Sequence, residues 1–382
     1  MKQFLALLLT VLMTLSLLTG CGNAVPRQDA SASADASDYK IAFITGMGDI
    51  HDHSFNEDCY LGVQQFCEQS GAFCKYFMPA GWSNEELLDT IQQAVNEEFD
   101  VIVMAGVLFA EPCLEAAKTN PGTLFLALAV TPSDMGAAII PSNVALLTHK
   151  EEQAGFLAGY AAVAEGYREL GFLGGMDVSA VVRFGHGYLQ GANKAAADLG
   201  ISGVHVKYWY SGTFIANDDI TAKMDTWYQE GTEIIFACGG AIYESALEAA
   251  DRNDGKLIGV DMDMSDISPR FITSAVKSLS TSVVLALNAA AANNMHWPNN
   301  YAGACQSLGV VENCVGLAME NSRFENFTPE MYRLLYKALM HDSYNVDSNS
   351  DPDDHPRTDN IQVDWQYASE RCRCKMQRHL FM

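Results

Sequence analysis

The chain has 382 residues, about half of them apolar, and a formal net charge of −24. That length accommodates two domains with separate cores, and the apolar share excludes an intrinsically disordered chain. So acidic a protein does not take nucleic acid or an anionic membrane surface as its main partner, because both select basic surfaces.

Lys2 precedes a largely apolar run from Phe4 to Leu18, short for a membrane-spanning helix and of the right length for a signal-peptide core. The run ends in Leu18-Thr19-Gly20-Cys21, which resembles the bacterial lipobox. Residues 1–20 therefore read as a lipoprotein signal peptide and Cys21 as the lipidated new N-terminus. The alternative is an ordinary secretory signal with a cysteine nearby. Residues 21–38, mostly Ala, Ser and Asp, lack the apolar side chains to fold and read as a flexible tether. The expected location is the outer face of a membrane, held by lipid and otherwise in water.

Beyond the tether, short apolar strands alternate with amphipathic helices. Strands are expected at Lys40–Thr45, Lys75–Met78, Val101–Ala105, Leu124–Ala129, Val144–Thr148, Leu170–Leu173, Val204–Tyr210, Ile234–Ala237, Leu257–Val260 and Ile272–Val276. Helices are expected at Asn84–Asn96, opened by a Ser83/Asn84 cap, and at Glu151–Ala164, Phe184–Leu199, Asp218–Glu230, Ala241–Asp251 and Thr281–Asn294. Strand–helix alternation implies parallel sheets built from right-handed βαβ units. It runs twice, over about 39–148 and again from near Glu169, so two similar α/β lobes are expected. A further helical segment starts at Thr328-Pro329, and the polar stretch from Asp342 onward reads as extended or disordered. The cysteines after Cys21 are scattered. Cys305 with Cys314 is a candidate pair that spacing alone does not assign, and Cys372-Arg373-Cys374 lacks the CxxC spacing of zinc or redox sites.

The chemistry-bearing residues gather where strands end, the place where open α/β sheets bind ligands. The loop His51-Asp52-His53-Ser54-Phe55-Asn56 follows the first strand. Neighbouring loop residues rarely converge on one ion, which disfavours a metal there; a helix cap by Ser54 or Asn56 and a ligand contact both stay open. Tyr210-Ser211-Gly212-Thr213-Phe214 places aromatics at a sheet mouth, either to stack on a flat ligand or to cap the core. Cys238-Gly239-Gly240-Ala241 joins strand to helix with glycines that let backbone N–H groups approach a ligand, without the GxGxxG fingerprint or a P-loop. Asp261 and Asp263 follow a buried strand and suit the paired hydroxyls of a sugar, or else shape the next turn. Lys277, after Ile272–Val276, is suited to neutralise Asp261 or to donate to a ligand hydroxyl, or is an ordinary surface lysine. No Ser–His–Asp arrangement or nucleophile elbow stands out, and neither a cofactor nor a metal is expected.

These pieces, in this order, resemble the basic membrane protein family of substrate-binding lipoproteins, whose characterised members serve ABC transporters as purine-nucleoside receptors. Gly48-Asp49-Ile50-His51-Asp52-His53-Ser54-Phe55-Asn56 is similar to the family's G-x-I-D-D-x-S-F-N, Glu152–Ala161 to E-A-x-F-L-A-G-Y-A, and Gly171–Phe184 to G-F-[VL]-G-G-M-D-x-P-x-x-x-R-F. The resemblance implies an α/β type I periplasmic-binding fold: two Rossmann-like lobes with parallel sheets, joined by three crossovers, with the ligand between them. It places 39–148 plus 259–300 in the first lobe and 149–258 plus 305–341 in the second; residues 342–382 lie beyond it and read from their polarity as a poorly ordered tail. It also implies that Phe55 and Phe214 stack on the base, that Gly240, Asp261 and Lys277 meet the ribose, and that Asn56 lies in the same pocket. The sequence departs from the family at Gly46 and Ala129, where aspartates facing the ligand are usual, and at Ser179, which replaces a proline. An ABC permease, a nucleoside-like small molecule and the membrane, through the lipid, are the implied partners. The rivals are a ligand sensor signalling to a membrane partner and a nucleoside hydrolase using Asp261 and Asp263.

Overall fold

The computed structural model describes residues 36–366. The expected signal peptide, Cys21 and most of the tether lie outside the described residues, as do residues 367–382 of the expected tail. Ala36, at the end of the expected tether, is buried, and its N–H donates to Ser70 O at 3.0 Å.

The first lobe begins with β1 (Lys40–Ile44), α1 (Phe55–Ser70), β2 (Phe73–Phe77), α2 (Asn84–Asn96) and β3 (Val101–Ala105). It continues with α3 (Ala110–Thr119), β4 (Leu124–Leu128) and β5 (Val144–His149). The chain then crosses to the second lobe: α4 (Glu151–Glu165), β6 (Glu169–Gly174), α5 (Ser179–Leu199), β7 (His205–Tyr210), α6 (Asp218–Gln229), β8 (Ile234–Cys238), α7 (Ile242–Asn253), β9 (Lys256–Asp261) and β10 (Phe271–Lys277). It returns through α8 (Leu279–Ala291) and β11 (Cys305–Leu308), and crosses a last time to β12 (Val315–Leu317), α9 (Pro329–Met340) and β13 (Gln362–Gln366). The six-stranded sheet runs β11-β5-β4-β3-β1-β2 and the seven-stranded sheet β12-β10-β9-β8-β6-β7-β13. Every pairing is parallel except β10 with β12. The architecture is thus the two-lobed α/β fold with crossovers at 149–151, 277–279 and 308–315.

The local reasons are those of the sequence. Core strands such as β3 and β4 are apolar on both faces and wholly buried, as parallel strands covered by helices must be. Ser83 accepts from the Glu86 N–H while Glu86 reaches back, a complete capping box for α2. Thr328 caps α9, with Pro329 in its first turn. Helices α4 and α5 touch backbone to backbone: a Cβ on Gly159 would sit 2.0 Å from Tyr188 O, and one on Gly191 2.0 Å from Phe156 O. Glycines on both helices, Gly155 and Gly159 of α4 with Gly187 and Gly191 of α5, are what permit that approach.

Three expectations change. Strands β9 and β10 belong to the second sheet, not to the first lobe, and β11 belongs to the first sheet, not to the second lobe. Periodicity identifies a strand but not the sheet it joins, because its partners are distant in sequence. The tail beyond Asp342 is built in as far as Gln366. β13 pairs in register with β7, the Trp365 ring centroid lies 4.6 Å from that of Tyr208, and Trp227 Nε1 donates to Gln366 Oε1 at 3.2 Å. Its average polarity hides two aromatic anchors, Trp365 and Tyr344, the latter with its ring centroid 5.1 Å from that of Phe156. Finally, the described cysteines are all free thiols, Cys305 and Cys314 included.

Candidate functional site

The loop after β1 is organised by Asp52. This buried carboxylate accepts the N–H groups of Ser54 (3.0 Å), Asn56 (3.1 Å) and Glu57 (3.1 Å), together with Asn56 Nδ2 (2.9 Å). Asp52 therefore caps α1, one of the two roles that the sequence leaves open for Ser54 or Asn56, and its charge favours the positive end of the helix. Burial raises its pKa, although those bonds oppose the rise. Asn56, also buried, gives Oδ1 to the Gly46 N–H at 2.7 Å and thereby ties the loop to the end of β1. Ser54, released from capping, donates its hydroxyl to Asp261 Oδ2 at 2.9 Å, across from one lobe to the other.

Asp261 ends β9 with φ of 66°, a left-handed conformation that non-glycine residues adopt at a cost and that Asp tolerates better than most. Its other oxygen lies 3.2 Å from Lys277 Nζ, the neutralising arrangement weighed for that lysine. Lys277 is buried rather than a surface lysine; its ammonium also stands 3.7 Å from Glu151 Oε1 and 4.9 Å from the Phe55 ring centroid. Burial alone would lower the Lys277 pKa, but Asp261 and Glu151 outweigh it and hold the value above normal. Glu151 in turn pairs with Arg183 at 2.7 Å, and His149 Nε2 lies 2.9 Å from Ser282 Oγ. Burial, Lys277 and Arg183 drive the His149 pKa well below its usual value, so that ring is neutral. Two of the crossovers are thus knotted by one buried polar network. Sequence reasoning assigned nothing to Ser54's reach, Glu151 or Arg183; only the EQAG and RF motifs pointed near them.

Between the lobes lies a cavity of about 790 Å³, counting the open solvent at its mouth. Phe55, Asn56, Phe214, Gly240, Asp261 and Lys277 all line it. Phe214 sits against glycines: a Cβ on Gly175 would come 2.4 Å from its ring and one on Gly239 2.9 Å. Gly46 and Ala129 line it too, but they differ. A Cβ on Gly46 would meet Ala105 O at 2.3 Å, so no side chain fits there on this backbone, whereas Ala129 has φ of 56°. Asp263 is turned away, accepting the Ser265 N–H at 3.0 Å and Asn321 Nδ2 at 3.1 Å. Asp261 and Asp263 therefore do not converge on the cavity. Among the described residues, no three His, Cys, Asp or Glu side chains group so as to hold a metal ion.

Two α/β lobes joined by three crossovers, with a cavity lined from both, define the periplasmic-binding-type fold. The fold matches that of an ABC transporter solute-binding protein from Aeropyrum pernix K1, with a TM-score of 0.64 and 22% identity, covering 79% of this chain and 86% of that one. The family model "ABC transporter substrate-binding protein PnrA-like" matches residues 40–341, and the chain belongs to that Bmp family. An uncharacterized lipoprotein of Pyrococcus horikoshii is 27% identical, over 86% of this chain and 84% of its own. The ABC transporter nucleoside-binding protein BmpA of Lactococcus lactis is 26% identical, over 69% of this chain and 74% of its own.

Proposed function

We propose that this substrate-binding protein is a lipid-anchored extracytoplasmic receptor that closes its lobes on a nucleoside-like ligand and presents it to an ABC permease. The observation that carries the reading is the convergence of Asp261 and Lys277 with Phe55 and Phe214 on the interlobe cavity. A carboxylate beside an ammonium accepts from and donates to a vicinal diol, and aromatic rings hold a flat heterocycle. The nucleoside-binding relative and the relatives named as lipoproteins support the ligand class and the anchor at Cys21. Among the described residues no helix is long and apolar enough to cross a membrane.

Contacts to both lobes favour the closed state, and bending at the crossovers closes the cleft. Purified full-length protein in detergent should bind ribonucleosides in calorimetry without releasing free base. Release of base would establish the hydrolase instead, and absence of binding by any riboside would end the nucleoside reading. Labelled Cys21 lipid in cells, lost in Cys21→Ala, checks the anchor.

A further inference from the structure

Few of the side chains that line the cavity are polar. Asp261 and Lys277 supply its charge. Met47, Trp82, Val107, Leu108, Phe109 and Ala129 make up much of its first-lobe wall. Two polar side chains lie near it, and both are spent: Asn56 Oδ1 on the Gly46 N–H, and Asp52 on the four donors of the α1 cap. Met47 Sδ, a weak acceptor, already faces Thr213 Oγ1 at 4.0 Å. The Trp82 indole is a donor only. The wall therefore offers no free side-chain acceptor for an N–H group on the edge of a bound ring. Gly46 has no space to carry one, because Ala105 O occupies the Cβ direction.

Resting on the nucleoside-like reading, we infer that this site selects a riboside whose heteroaromatic ring presents no N–H donor at its edge, an unsubstituted or alkylated ring rather than an amino- or lactam-bearing purine. The hydroxyl end is held at Asp261 and Lys277. The ring lies against these apolar side chains, where a buried amino group loses its hydrogen bonds to water and gains none from a side chain. That loss is worth roughly ten- to a hundredfold in affinity. Ala129 is the position that sets the preference. It faces the cavity in a left-handed conformation, which Asp also adopts.

The test compares 6-methylpurine riboside with adenosine, which differ by a methyl in place of an amino group, by calorimetry on the full-length protein in detergent. The methyl compound is expected to bind at least about tenfold more tightly. In Ala129→Asp, which supplies an acceptor, the ratio is expected to move toward adenosine. Equal or tighter binding of adenosine by the unmodified protein overturns the inference while leaving the receptor reading intact. An unmoved ratio in a folded Ala129→Asp protein overturns the role given to Ala129. If neither riboside binds, the nucleoside reading fails and this inference with it.

Discussion

Ser54 and Asp261 stand 207 positions apart in the chain and meet across the cleft, hydroxyl to carboxylate, at 2.9 Å. One residue belongs to the loop after the first strand and the other to the end of a strand in the opposite sheet, so the bond exists only when the lobes are together. It is a latch between them, and it uses an oxygen that a ligand hydroxyl would compete for. Removing it in Ser54→Ala should shift the ligand-free protein toward an open form. Small-angle scattering should show a larger radius of gyration than the unmodified protein; an unchanged radius would mean the latch does not hold the lobes.

Asp261→Asn keeps the left-handed backbone, which Asn tolerates, but removes the charge that faces Lys277. Affinity for the riboside that binds should fall about tenfold or more, because a charge-assisted bond is lost and a buried ammonium keeps only Glu151. Phe214→Ala should cost a similar factor through lost stacking. Calorimetry measures both, and unchanged affinity in both would place the ligand elsewhere.

Gly46 invites an attempt to install the aspartate that the family resemblance leads one to expect there, and the structure argues against it. The Cβ direction points at Ala105 O, 2.3 Å away, which is backbone and cannot swing aside. Gly46→Ala should therefore lower stability by about 1–3 kcal/mol, measured by denaturant titration. Gly46→Asp should not improve nucleoside affinity. A stable Gly46→Ala protein would show that β1 and β3 separate easily at this point.

Glu152 sits buried beside Glu151, with Arg183 Nε 3.8 Å from its Oε2, and burial followed by Glu151 pushes its pKa from 4.5 up to about 7. A carboxyl that holds its proton more tightly in the folded state costs nothing below its unfolded pKa and its full penalty above the folded one. Stability should accordingly fall between about pH 4.5 and 7, by up to about 3 kcal/mol at 1.36 kcal/mol per pH unit. In Glu152→Gln this component should vanish, so that the variant is the more stable protein at pH 8 and loses that advantage near pH 4. Parallel stability curves for the two proteins would contradict the assignment.

Alternating apolar strands and amphipathic helices made most of the two-lobed fold legible, because burial on both faces leaves its mark residue by residue. Helix α2 runs over the expected Asn84–Asn96 and β3 over the expected Val101–Ala105. The short edge strands β11, β12 and β13 were not legible; they carry little apolar signal and are defined by partners far away in the chain.

By itself the sequence determined the composition of the cavity's ends. Glycines and an aspartate sit at strand termini, aromatics in adjoining loops, and small residues where helices α4 and α5 of the second lobe crowd. Tertiary structure alone decided which of these groups remain available. It committed Asp52 to a helix end and Asn56 to a backbone N–H, turned Asp263 outward, brought Ser54 to Asp261, and closed the space at Gly46 with a neighbouring carbonyl. The physical reason is that a side chain's chemistry is written in its type, whereas its free valence depends on hydrogen-bond partners supplied by distant segments.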